Sequence, residues 1–148
     1  MTLPGGRARQ YHLPQDMVLL DETYNAGLES MIAALQFLAA TPGQRRIAVL
    51  GTMKELGDRS AEFHQQVGAM VQQLQLDHLC ILAAEPEASA LATGAGAVPC
   101  ERYDSHTNLV AHLRIFLAPG DRVLFKASRA VGLDQVVAAL RVDFATPD

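Results

Sequence analysis

Short apolar runs alternate with longer stretches of helical periodicity along this chain, and that alternation limits the possible folds more than any other feature. Arg9–Leu13, Met17–Asp21, Arg46–Leu50, His78–Ala83, Val98–Arg102 and Arg122–Lys126 read as strands. Between them Leu28, Met31, Ile32, Leu35 and Leu38 keep helical spacing until Pro42-Gly43 ends the run. Phe63, Val67, Met70 and Leu74 form the next helical face, behind Ser60 as a cap. Pro86–Ala95 is Ala-rich and helical in pattern. Leu109, Leu113 and Phe116 follow a cap at Asp104 or Ser105, and Leu133, Val136, Val137 and Leu140 mark the last helix. Pro14-Gln15-Asp16 joins the first two strands as a hairpin. The order predicts an α/β fold: a Rossmann-like three-layer αβα sandwich of about six strands, mostly parallel, with one antiparallel strand from the N-terminal hairpin. Gly/Pro-rich residues 1–8 read as a domain edge, residues 9–142 as one domain and residues 143–148 as a tail.

Composition removes several classes of function. A chain of 148 residues with 49% hydrophobic residues builds one domain with a real core. Trp is absent, so aliphatic side chains must fill that core. A net charge of −4, with only Arg45 and Arg46 adjacent, leaves no basic footprint for nucleic acid. No apolar run approaches the roughly 20 residues that span a bilayer, and the N-terminus lacks a signal core, so a cytoplasmic location without membrane attachment is expected. Cys80 and Cys100 read as reduced, buried thiols.

In a parallel sheet the carboxyl ends of the strands share one edge, where ligands bind. Three of those ends here are polar: Asp21-Glu22-Thr23-Tyr24-Asn25, Gly51-Thr52-Met53-Lys54-Glu55-Leu56-Gly57-Asp58 and Lys126-Ala127-Ser128-Arg129. The ends near Ala84-Glu85 and Arg102-Tyr103 are plainer. Each polar loop has an ordinary reading, with Thr23, Asn25 or Ser128 as helix caps and the glycines as turn formers. Together they place cations, a hydroxyl and carboxylates where a carboxylate- or phosphate-bearing ligand would sit. No Gly-x-x-x-x-Gly-Lys-Ser/Thr loop and no Gly-x-Gly-x-x-Gly after the first strand occurs. His12, His64, His78, His106 and His112 show no metal-ligand spacing, and no metal site or Ser-His-Asp set is assigned.

The three loops resemble the C-terminal domain of the Mur ligases. The family's Asp-Asp-Ser-Tyr-Asn-Ala-Asn-Pro is matched by Asp21-Glu22-Thr23-Tyr24-Asn25-Ala26-Gly27-Leu28. Its Val-Leu-Gly-Asp-Met-x-Glu-Leu-Gly is matched by Val49-Leu50-Gly51-Thr52-Met53-Lys54-Glu55-Leu56-Gly57, followed by Ser60, His64 and Val67-Gly68. Its Lys-Gly-Ser-Arg is matched by Lys126-Ala127-Ser128-Arg129, and Gly6-Arg7 resembles the junction with a central domain. Glu22, Thr23, Gly27, Thr52 and Ala127 depart from the pattern, and the Ala127 methyl restricts a backbone that substrate would approach.

The resemblance, closest to the members that join D-alanyl-D-alanine to UDP-N-acetylmuramoyl-tripeptide in peptidoglycan synthesis, implies a piece of a longer ATP-dependent ligase. A missing central domain would bind ATP and Mg²⁺, with residues 1–8 as the remnant of the junction. The C-terminal domain would close over the nucleotide and present the incoming dipeptide, with no catalytic residue of its own. By the same resemblance Arg7, Asp21, Glu22, Tyr24 and Asn25 face the nucleotide, and Met53, Glu55, Lys126, Ser128 and Arg129 serve the substrates. His64 is assigned to packing or capping. Two alternatives stay open: a stand-alone nucleotide- or metabolite-binding module, and the same domain of another Mur or folylpolyglutamate ligase.

Overall fold

In a computed structural model that describes residues 9–145, the chain forms a six-stranded sheet in the order β1-β2-β6-β3-β4-β5. The strands are β1 (Arg9–Leu13), β2 (Met17–Glu22), β3 (Arg46–Gly51), β4 (His78–Leu82), β5 (Cys100–Tyr103) and β6 (Arg122–Lys126). The helices are α1 (Leu28–Ala40), α2 (Ser60–Gln73), α3 (Glu87–Ala95), α4 (His106–Phe116) and α5 (Leu133–Asp143). Only β1 and β2 pair antiparallel, and every other neighbouring pair is parallel. The predicted αβα sandwich and its hairpin are therefore observed. The hairpin turn is a single 3-10 turn at Pro14–Asp16, with Gln15 and Asp16 both at positive φ. Arg7 and the proposed junction lie outside the described residues.

Strand side chains alternate between faces, and each face has its own core. Val18, Leu20, Ala48, Leu50, Leu79, Ile81 and Leu124 bury against α1, α2 and α3 through Met31, Leu35, Leu38, Val67, Val71 and Leu91. Met17, Leu19, Ile47, Val49, Cys80, Val123 and Phe125 bury against α4 and α5 through Leu109, Leu113, Leu133, Val136 and Leu140. Phe144 joins this second core, so packed structure extends past residue 142.

Two caps differ from expectation. Ser60 is not a cap: a 3-10 turn at Gly57–Arg59 feeds straight into α2, so Ser60 already has helical φ/ψ and its hydroxyl donates to Glu87 Oε2 at 2.8 Å. At α1, Gly27 takes the N-cap position and its N–H donates to Ser30 Oγ at 3.0 Å, leaving Thr23 and Asn25 upstream of the helix. Ser105 does cap α4, accepting from the Asn108 N–H at 3.1 Å.

The α2–α3 crossing depends on facing glycines. A Cβ on Gly68 would lie 2.3 Å from the Leu91 carbonyl oxygen, and one on Gly94 would lie 2.2 Å from that of Gln65. The obstacles are backbone atoms, which cannot swing aside. Gly68→Ala should therefore destabilise the fold by about 2–3 kcal/mol, as overpacking does. Gly27→Ser, in open space at a cap position, should stay within about 1 kcal/mol of the parent. Urea unfolding of the two variants checks the contrast.

Candidate functional site

The strand order concentrates the polar loops. β6 lies between β2 and β3. The helices that follow β2 and β3 cover one face, and the helix that follows β6 covers the other. The chain therefore parts to opposite sides at the carboxyl end of β6, which is the geometry that opens a ligand crevice in such sheets. The segments from Asp21, Gly51 and Lys126 are thus three neighbouring exits around one strand end.

Lys126 ties the first exit to the third. Glu22 and Lys126 are register partners across β2 and β6, and both side chains are buried, at 7% and 2% exposure. Lys126 Nζ donates to Glu22 Oε1 at 3.2 Å and to the Asn25 carbonyl at 2.9 Å. A buried ammonium without such partners would be strongly unfavourable. Asp21 acts locally: its Oδ1 accepts from the Thr23 hydroxyl at 2.7 Å and from the Thr23 N–H at 3.0 Å, turning the chain out of β2. Tyr24 and the Asn25 side chain emerge beyond this knot and are exposed. Burial, then Glu22 and Asp21, push the Tyr24 phenol above its ordinary pKa.

Ser128 ties the second exit to the third. Its hydroxyl accepts from the Lys54 N–H at 2.7 Å, and its N–H donates to the Thr52 carbonyl at 3.0 Å. His64 holds the same loop from beneath. Fully buried on α2, it donates from Nδ1 to the Ser60 carbonyl at 2.7 Å and accepts at Nε2 from the Met53 N–H at 3.0 Å. That pairing fixes the tautomer and spends both ring nitrogens on positioning. The Met53 side chain is buried in the core, while Glu55 is exposed at positive φ.

The Ala127 methyl does not face a ligand. It is buried in the core beneath β6, and a Cβ on Gly51 would come within 2.7 Å of it. The missing side chain at Gly51 thus makes the room that Ala127 occupies.

Among the described residues, two hollows open on this edge. A cleft of about 230 Å³ is lined by Arg9, Asp21, Thr23, Tyr24, Arg129 and Asp134. A wider groove of about 750 Å³ lies over the ends of β3, β4 and β5, with Lys54, Glu85, Arg102, Tyr103, Asp104 and His106 on its walls. Of the residues anticipated from sequence, Asp21, Tyr24 and Arg129 meet in the cleft. Glu22, Met53, Lys126 and Ser128 make the bonds that hold the loops together. Arg9, Asp134 and the β4 and β5 side of the groove wall, with Glu85, Arg102, Tyr103 and His106, were missed. The ends of β4 and β5 looked plain, yet as parallel strand ends they belong to the same edge, which was the signal available.

The Mur ligase, glutamate ligase domain family matches residues 6–129. This chain belongs to the Mur ligase family. A Synechocystis UDP-N-acetylmuramoyl-tripeptide–D-alanyl-D-alanine ligase is 57% identical over 140 residues, covering 95% of the chain and 31% of that relative. The Escherichia coli ligase of the same name is 35% identical over 138 residues, covering 92% of the chain and 29% of that relative. The crystal structure of MurF ligase from Thermotoga maritima in complex with ADP superposes with a TM-score of 0.78 at 30% identity, over 97% of this chain and 32% of that one. The chain thus spans somewhat under a third of these Mur ligases.

The buried pair gives the site its first test. Lys126→Met leaves the Glu22 carboxylate buried and unpaired, and should cost about 3–5 kcal/mol. Adding Glu22→Gln in the same chain should recover most of that loss. Urea denaturation of the single and double variants measures the coupling.

Proposed function

We propose that this chain is the C-terminal, substrate-binding and nucleotide-closing part of an ADP-forming ligase that joins D-alanyl-D-alanine to UDP-N-acetylmuramoyl-tripeptide during cytoplasmic synthesis of peptidoglycan precursors. One observation carries the reading: the three loops whose residues resemble the family motifs converge around the end of β6 and are bonded to one another there. The 57% identity to a ligase of that name supports the choice of substrate.

In this reading ATP, with Mg²⁺, activates the tripeptide carboxyl to an acyl phosphate, mainly in a domain outside this chain. The chain's own part is positioning. Arg129 is exposed at the mouth of the cleft and offers a two-pronged grip on a carboxylate. Asp21, Tyr24 and the Asn25 side chain present acceptors and a phenol towards a nucleotide, and Arg7 would join them. Glu55 lies on the loop that approaches the dipeptide. Glu22, Lys126, Ser128, His64 and the Met53 backbone hold those groups in register. Fixing the amine beside the acyl phosphate supplies much of the rate, and closure keeps water from the activated carboxyl. No group of this chain needs to act as a general base.

The experiment is a chimera in which this chain replaces the corresponding C-terminal segment of the Synechocystis relative. It should release phosphate only when ATP, UDP-N-acetylmuramoyl-tripeptide and D-alanyl-D-alanine are all present. Arg129→Ala should raise the KM for the dipeptide or tripeptide by about tenfold or more, the loss expected for a charge-assisted bond. The 148-residue chain alone should not ligate, and calorimetry should detect little binding of dipeptide or ATP. A folded chimera that ignores D-alanyl-D-alanine, or ligation by the chain alone, would overturn the proposal.

A further inference from the structure

A second cluster of chemistry-bearing side chains lies away from the polar loops, beneath α4 on the β4–β5 flank of the sheet. His78 and Cys80 are two apart on β4 and share a face, and His112 descends on them from α4. The two imidazoles and the thiol bring one ligand atom each within 4.8 Å of one another. Cys80 is the register partner of Glu101 on β5, and Glu101 Oε1 lies 3.2 Å from His78 Nε2 and 3.4 Å from His112 Nε2. Phe116 packs on both imidazoles, with ring centroids 4.5 and 5.0 Å away.

The hydrogen bonding of this cluster is incomplete. His78 Nε2 and His112 Nε2 are buried and make no well-directed hydrogen bond, although one carboxylate oxygen lies close to both. Buried polar atoms without partners are rare and call for an explanation. Two ring nitrogens and a thiol sulfur gathered together are donors of the kind zinc takes, and the Glu101 carboxylate beside both nitrogens offers a fourth. The spacing agrees: bonds of about 2.0–2.3 Å place neighbouring ligand atoms about 3.3–3.6 Å apart, which is where Glu101 already stands from both nitrogens. Bringing the sulfur and the rings to the same spacing needs a contraction of about 1 Å.

We propose that His78, Cys80, Glu101 and His112 bind a divalent transition-metal ion of the zinc class. With all four positions filled by protein the site is structural, and it pins α4 to the β4–β5 flank. The Cys80 thiol is fully buried within the cluster. Binding then forms the metal–sulfur bond and releases the thiol proton to solvent. Arg45, which stacks on Phe116, is already paired with Asp121 at 2.7 Å, so its charge is largely compensated.

Cobalt(II) titration of the chelator-treated 148-residue chain tests the site. One equivalent should give the intense visible bands of tetrahedral cobalt and a thiolate-to-cobalt charge-transfer band in the near ultraviolet, with zinc displacing both. Cys80→Ser should abolish the charge-transfer band. Glu101→Gln, at a half-exposed position that leaves packing intact, should weaken cobalt binding by about tenfold or more. Zinc should raise the thermal midpoint of the parent chain and not that of His112→Gln. Absence of a saturable charge-transfer band, or binding unchanged in both Glu101→Gln and His112→Gln, would overturn the proposal.

Discussion

The carboxyl edge of this sheet is organised around a buried ammonium. Lys126 ends β6 on the face that continues Leu124 into the core, so its charge has no route to water except through partners. Glu22 and the Asn25 carbonyl supply those partners, and both come from the β2 exit. Satisfying Lys126 therefore fixes where the segment after β2 turns, and with it the positions of Asp21 and Tyr24. A buried ion pair of this kind adds little to stability compared with a well-packed apolar pair. What it contributes here is register: only one alignment of β2 on β6 brings Glu22 to Lys126.

The remaining bonds extend that knot. Ser128 carries it from β6 to the Gly51 loop, and His64 carries it on to α2. Arg129 and Tyr24 stay exposed beyond the knot and line the smaller cleft. The residues of the candidate site thus divide into buried ones that hold the loops and exposed ones beyond them, and the strand order decides which is which.

Much of the fold was legible because its signals are periodic. The unbroken apolar run Ile47–Leu50 marks a strand buried on both faces, and the spacing of Leu133, Val136, Val137 and Leu140 marks the face of α5. The convergence of the polar loops was legible because parallel strands end on one edge. The insertion of β6 between β2 and β3 was not, since nothing local in Arg122–Lys126 reports its neighbours. That one fact hid the pairing of Lys126 with Glu22, which read as ligand-facing residues on separate loops until their registers are aligned. It equally hid the buried position of Ala127, which depends on the adjacent Gly51. The imidazole–thiol cluster was invisible for the same reason: His78, Cys80 and His112 meet only through the pairing of β4 with β5 and the return of α4. Tyr103 connects the two regions, lining the wider groove while its buried hydroxyl neighbours Cys80 and Glu101.

The central claim is that the three exits form one clamped unit before any ligand arrives. Native-state hydrogen exchange on the amides of Thr23, Met53, Lys54 and Ser128 tests it most directly, because each donates to a bond within or beneath the knot. The account expects all four to be protected in the unliganded chain and to open with a common free energy, as a cooperative unit does. Exchange of the Lys54 and Ser128 amides at the rate of an unstructured loop, while Met53 and Thr23 stay protected, would contradict it.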